Sequence, residues 1–130
     1  MMAARRILVV EDNALNLKLV RDVLTVSGYE VVAAPSGEEG VTLAQTCDPD
    51  LVLMDIQLPG IDGYEALRQL RQNSQLDGVP VVAVTAFAMR EDRERAAREG
   101  FDGYIGKPIS VRALPSQVSE FLSNGRSDVR

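Results

Sequence analysis

The stretch LVLMDIQLPG, residues 51–60, decides the fold. Leu51-Val52-Leu53-Met54 is apolar without a polar break, which suits a strand covered on both faces rather than one. Asp55 follows at once, then the turn-forming Pro59-Gly60. A carboxylate at the end of a buried strand is costly unless something holds it.

Other segments share the pattern. Ile7-Leu8-Val9-Val10 is a second unbroken apolar run, Tyr29 to Ala33 a β-branched one, and Pro80-Val81-Val82-Ala83-Val84 a fourth. Gly103-Tyr104-Ile105 reads as a short fifth strand. Helical spacing fills the intervals. Leu17, Val20 and Leu24 predict a helix over 14–27 stopped by Gly28. Ser36-Gly37-Glu38-Glu39 has the capping-box pattern and opens a helix to about Thr46; Asp62 with Glu65 repeats it before Leu67 and Leu70. A charged helix is expected from Ala88 to Glu99 with Gly100 behind it, and a last one between Ser110 and Ser123. Pro115 leaves that last element open. It either interrupts a helix already begun, or opens one as its first residue after a separate turn over 110–114. Five βα repeats with unalternating strands imply an α/β fold, a doubly wound five-stranded parallel sheet covered by helices on both faces. The order 2-1-3-4-5 defines the flavodoxin-like version.

Composition narrows the function classes. The chain has 130 residues, enough for one cored domain. Its apolar fraction of 45% against 25% charged residues fits a soluble globular protein rather than a disordered one. A net charge of −5 argues against direct nucleic-acid binding. No apolar run approaches the roughly 20 residues of a membrane span, and MMAARR lacks a signal-peptide core. The single cysteine, Cys47, allows no internal disulfide, which fits a reducing cytoplasm. The absence of histidine removes serine-hydrolase triads, imidazole metal sites and any internal phosphohistidine.

Ligands of open α/β sheets sit outside the carboxyl ends of the strands. Glu11-Asp12-Asn13 follows the first strand, Asp55 the third, Thr85-Ala86 the fourth and Gly106-Lys107-Pro108 the fifth. Three acids, a hydroxyl and an amine are therefore expected at one edge. Two carboxylates about 4 Å apart repel by roughly 4 kcal/mol at an effective dielectric near 20, so such a cluster takes up protons, spreads or binds a cation. Oxygen ligands favour a hard cation, and Mg²⁺ shares its remaining positions with water and phosphate. There is no GxGxxG after the first strand and no P-loop, so no nucleotide cradle is indicated. Asp55 itself is then a candidate phosphoryl acceptor, because carboxylates act as covalent nucleophiles and in-line transfer needs mainly positioning and charge neutralisation.

The segments ILVVEDN, LVLMDIQLPGIDG, VVAVTA and GKPIS, in this order, resemble the receiver domain of two-component response regulators over about Arg6 to about Leu122. Within that family the wording is similar to stand-alone cell-division regulators; receivers of hybrid sensor kinases share much of it. The resemblance implies that Asp55 is the phosphoacceptor and that Glu11 and Asp12 form the acidic pocket. It implies Mg²⁺ as cofactor, held by Asp12, Asp55 and the backbone carbonyl of Gln57. Thr85 would move to bind the phosphoryl group, Lys107 would pair with it, and Tyr104 would turn inward as a switch. The Lys107–Pro108 peptide would be cis. The surface around the fourth helix, fifth strand and fifth helix would meet a downstream protein target. The phosphodonor would be a sensor histidine kinase or a histidine phosphotransfer protein. The expected organisation is one receiver over 1–123 and a polar tail over 124–130, with no effector domain. A signalling switch is expected rather than a turnover enzyme. Two further readings differ in class: a Mg²⁺-dependent phosphatase or mutase, disfavoured because Ile56-Gln57 offers no second acid after Asp55, and a binding module independent of phosphorylation.

Overall fold

In the computed structural model, which describes residues 4–87 and 89–126, five strands form one parallel sheet in the order β2-β1-β3-β4-β5. The strands are β1 (Arg6–Val10), β2 (Glu30–Ala34), β3 (Leu51–Asp55), β4 (Val81–Thr85) and β5 (Gly103–Gly106). Between and after them run α1 (Ala14–Val26), α2 (Gly37–Cys47), α3 (Gly63–Arg71), α4 (Arg90–Glu99) and α5 (Leu114–Asn124). The register pairs Val10 with both Ala34 and Met54, Asp55 with Val84, and Thr85 with Gly106.

Apolar residues on both faces of the strands build two cores. Leu8, Val10, Val52, Met54, Val81 and Ala83 face one layer with Ala44 of α2, Leu67 and Leu70 of α3 and Ala96 of α4. Ile7, Val9, Leu51, Leu53, Val82 and Val84 face the other with Val20 and Leu24 of α1 and Leu114 and Val118 of α5. Burying each such side chain contributes roughly 1.5–3 kcal/mol, which is why the strands carry no polar alternation.

Local chemistry fixes the helix starts. Asn13, Ser36 and Asp62 cap α1, α2 and α3 by accepting the N–H of Asn16, Glu39 and Glu65. Glu65 of the second predicted capping box turns instead to Arg68 and Gln69. Pro115 lies in the first turn of α5, where its missing N–H costs nothing, and a turn held by Ser110 precedes it. The second of the two sequence readings is the nearer one, with a correction of one residue: the helix opens at Leu114, so Pro115 is its second residue rather than its first. The charged helix starts at Arg90, without a side-chain cap at Met89; the expected start at Ala88 lies outside the described residues, as do Met1, Met2 and residues 127–130 of the expected tail. A short 3₁₀ turn, Ser74–Leu76, was not anticipated; the Asn73 side chain accepts the Gln75 N–H there.

α4 is attached differently from the other four helices. Ala96 is its one buried residue. The helix also packs against β5, and it is tied laterally to α3: the Arg95 guanidinium lies 4.2 Å from the centroid of the Tyr64 ring, and Arg68 reaches Glu99 at 3.4 Å. Tyr64 also meets Phe101 edge to face at 5.7 Å. Arg95 therefore does more than solvate, whereas Arg90 pairs with Glu94 one turn on, as expected of an exposed face.

At the amino-terminal edge of the sheet, the side chain of Asp102 is almost fully buried. It accepts the Val81 N–H at 2.9 Å and an Arg71 N–H at 3.1 Å. Arg126 lies 3.8 Å from the same carboxylate and donates to the Asp77 carbonyl. No helix among the described residues is long and apolar enough to cross a membrane.

Candidate functional site

Strand order reverses at β1, whose neighbours β2 and β3 lead in opposite directions, and this opens a crevice at the carboxyl ends of β1 and β3. Glu11 and Asp12 leave β1 there, and Asp55 ends β3. One carboxylate oxygen from each lies within 4.8 Å of the others. Glu11 and Asp55 are each 4% exposed, whereas Asp12 is exposed. Capping of α1 falls to Asn13, which leaves Asp12 free of that duty. Among the described residues the Asp12 carboxylate makes no hydrogen bond or ion pair.

Lys107 crosses to this cluster from the end of β5. Its Nζ lies 2.7 Å from Glu11 Oε1 and 2.9 Å from Asp55 Oδ2. The backbone aims it: the Lys107 N–H donates to the Thr85 carbonyl at 2.8 Å, and the Lys107–Pro108 peptide is cis. Burial lowers the ammonium pKa, but the bonds and charges of Glu11 and Asp55 outweigh it, so the net displacement is upward. Burial pushes Glu11 up, against the Lys107 and Asn13 hydrogen bonds. Two of the three carboxylates share the one ammonium, so the cluster carries an excess of two negative charges when all three acids are ionised. That all-oxygen donor set of excess charge two fits a hard divalent cation.

The two oxygens of Asp55 are held differently. Oδ2 takes the Lys107 ammonium, and Oδ1 accepts the Gln57 N–H at 3.0 Å. Behind the strand end, Gly63 closes the loop by donating to the Ile56 carbonyl at 2.8 Å. A Cβ on Gly63 would stand 2.5 Å from the Asp55 carbonyl oxygen, so a larger residue would push α3 off the site.

Thr85 is on the same edge but is not bonded to the cluster. It is 1% exposed, and its Oγ1 accepts the Phe87 N–H at 3.1 Å. Tyr104 is half-buried against the layer formed by α2, α3 and α4. Its hydroxyl is fully enclosed with no hydrogen-bond partner, and burial raises the phenol pKa. Glu11, Asp12, Asp55 and Lys107 therefore come together, Gln57 is tied to Asp55 through its N–H, and Thr85 and Tyr104 lie outside direct contact. Sequence reading missed the part of Gly63, which stood in the quoted motif only as a loop residue.

Residues 7–119 match the response regulator receiver domain. The chain is 45% identical to the polar-differentiation response regulator DivK of Brucella ovis over 120 residues, 92% of this chain and 98% of that protein. Among solved structures, a CheY-like receiver domain protein from Methanospirillum hungatei JF-1 superposes with a TM-score of 0.85 at 31% identity, covering 94% of this chain and 96% of the other. The receiver domain of the sensor histidine kinase PA1611 from Pseudomonas aeruginosa PAO1, solved with a magnesium ion coordinated in its active site cleft, has a TM-score of 0.85 at 34% identity, covering 93% and 99%. With the 2-1-3-4-5 sheet and the acidic edge, these likenesses place the chain in the response regulator receiver family.

Proposed function

We propose that this receiver takes a phosphoryl group from a phosphohistidine donor onto Asp55 and thereby switches a protein-binding surface. The observation that carries the reading is the arrangement around Asp55. One carboxylate oxygen is fixed by the Gln57 N–H and the other by the Lys107 ammonium, beside two further acids at the switch point of the sheet. In the transfer, an Asp55 oxygen forms the new P–O bond as the P–N bond of the donor breaks, and the electron pair leaves with the imidazole, which takes up a proton. The donor histidine belongs to a sensor kinase or phosphotransfer protein, because this chain has no histidine.

Asp12, Asp55 and the Gln57 carbonyl, with Glu11 beside them, would hold Mg²⁺, which supplies neutralisation of the phosphoryl oxygens. Lys107 holds Asp55 in place before transfer and pairs with the phosphoryl group after it. The added charge of about −1.5 to −2 acts only by favouring one arrangement of the domain over another. Thr85 would bind the new group, and Tyr104, with its unpartnered buried hydroxyl, would report the change to α4, β5 and α5, where a downstream protein binds. The likeness to the PA1611 receiver supports a second setting for the same chemistry, a receiver belonging to a hybrid sensor kinase.

Intact mass after incubation with Mg²⁺ and acetyl phosphate tests the reading. One added phosphoryl group is expected, absent in Asp55→Asn and in excess EDTA. An equal adduct on Asp55→Asn would overturn the assignment.

A further inference from the structure

Gln57 lies on a loop, residues 56–62, that leaves β3 and returns into α3. Its base is tied by the Gly63-to-Ile56 bond and its first turn by the Gln57 N–H on Asp55. Its far side is held from another element. Glu38, in the first turn of α2, accepts the Ile61 N–H on Oε2 at 3.1 Å. Among the described residues, no other side chain from outside the loop bonds a backbone group between Leu58 and Ile61. The fit is close around this contact. Gly60 has φ +75°, in the left-handed region, and a Cβ there would stand 2.5 Å from Glu38 Oε2. Gly37 permits a similar approach, since its Cβ would meet Ile61 Cγ1 at 2.8 Å.

Glu38 is not needed to start α2, because Ser36 already caps that helix through the Glu39 N–H. Its carboxylate is spent on the neighbouring loop instead. From this geometry we infer that Glu38 is a positioning residue for the pocket: it clamps the β3–α3 loop so that the Gln57 backbone is preset for the cation. The inference rests on the proposed Mg²⁺ pocket and adds a residue that stands apart from it. Groups that orient ligands from outside commonly change metal affinity by about 10–100-fold, and Glu38 acts one step further out through exposed backbone, so about threefold to tenfold is expected.

The test is Mg²⁺ affinity by isothermal titration calorimetry on the full chain, with hydrogen exchange of the Ile61 amide in the metal-free protein as an independent readout. Glu38→Ala is expected to weaken Mg²⁺ about threefold to tenfold and to speed Ile61 exchange. Glu38→Gln keeps an acceptor oxygen and is expected within about twofold of the parent in affinity. Gly60→Ala displaces the carboxylate from the other side and should reproduce the Ala variant. An unchanged affinity in Glu38→Ala overturns the inference. So does equal weakening in Glu38→Gln and Glu38→Ala, which would assign the effect to charge. If the parent takes no Mg²⁺, or Asp12→Asn binds it as tightly, the pocket reading itself fails and the clamp falls with it.

Discussion

Asp12→Asn is expected to stabilise the metal-free protein while abolishing its response to Mg²⁺. At 4.8 Å, the outer spacing of the carboxylate cluster, two unit charges repel by about 3.5 kcal/mol at an effective dielectric near 20, and by about 0.9 kcal/mol in bulk water. Asp12 faces two such neighbours, and the Lys107 ammonium bonded to both offsets about one of their charges. Because Asp12 is exposed, the screened end of that range applies, and removing its charge should gain about 1 kcal/mol. For a domain of this size that raises the melting temperature by about 3–5 °C. Thermal unfolding in EDTA measures it. With Mg²⁺ at about 100 times its dissociation constant, the parent gains about 2.7 kcal/mol by mass action, whereas the variant, lacking a ligand, gains far less. The order of stabilities therefore reverses between the two buffers. A variant that melts at or below the parent in EDTA would refute the electrostatic reasoning, since relief of repulsion is then not its main effect.

Three further outcomes are expected. Lys107→Met leaves Glu11 and Asp55 buried without their ammonium, so the metal-free protein should lose about 3–5 kcal/mol; Mg²⁺ should restore more stability to it than to the parent, and a loss insensitive to Mg²⁺ would contradict the shared-charge picture. Asp102→Ala removes the acceptor of the Val81 N–H and one partner of Arg71, whose guanidinium keeps the Leu76 and Val79 carbonyls, and should lower the urea midpoint by the equivalent of about 1–3 kcal/mol at unchanged slope; a loss under about 0.5 kcal/mol would mean that the buried carboxylate carries little. Arg95→Ala should cost about 0.5–1 kcal/mol on the parent and almost nothing once Tyr64 is Leu, a double-mutant comparison that isolates the ring contact.

The strands β1, β3 and β4 were legible because each is buried on both faces, and that leaves a run of apolar residues without alternation; the edge strands β2 and β5 are half-buried and carry shorter apolar runs. Once five such runs alternate with helical spacing, the acids after β1 and β3 and the lysine after β5 have to share one edge. Pro115 was readable only as two options, since a proline fits the first turn of a helix but the sequence does not mark which turn is first. The 3₁₀ turn at Ser74–Leu76 was invisible because the residue that caps it, Asn73, looks like any loop asparagine. Asp102 was passed over for a related reason: flanked by Phe101 and Gly103 it reads as a turn residue, and only the fold brings Arg71 to it from 31 positions away. Glu38 fails to announce itself because its partner is a backbone N–H, which any residue at position 61 other than proline would supply. The orientations of Thr85 and Tyr104 belong to tertiary packing, which spacing along the chain does not encode.

The lateral attachment of α4 has a mechanical consequence. A helix with one buried side chain, no side-chain cap and a few contacts to α3 and β5 costs less free energy to shift than α1 or α5, whose faces are sunk into a core with two buried residues each. Its amides should exchange with solvent at a lower opening energy than those of the other long helices. A domain so built concentrates its compliance in one layer. Moving a two-state equilibrium from 1:99 to 99:1 takes only about 5.5 kcal/mol of preferential stabilisation, within reach of a single chemical event at the sheet edge, while the sheet and the opposite layer stay as they are.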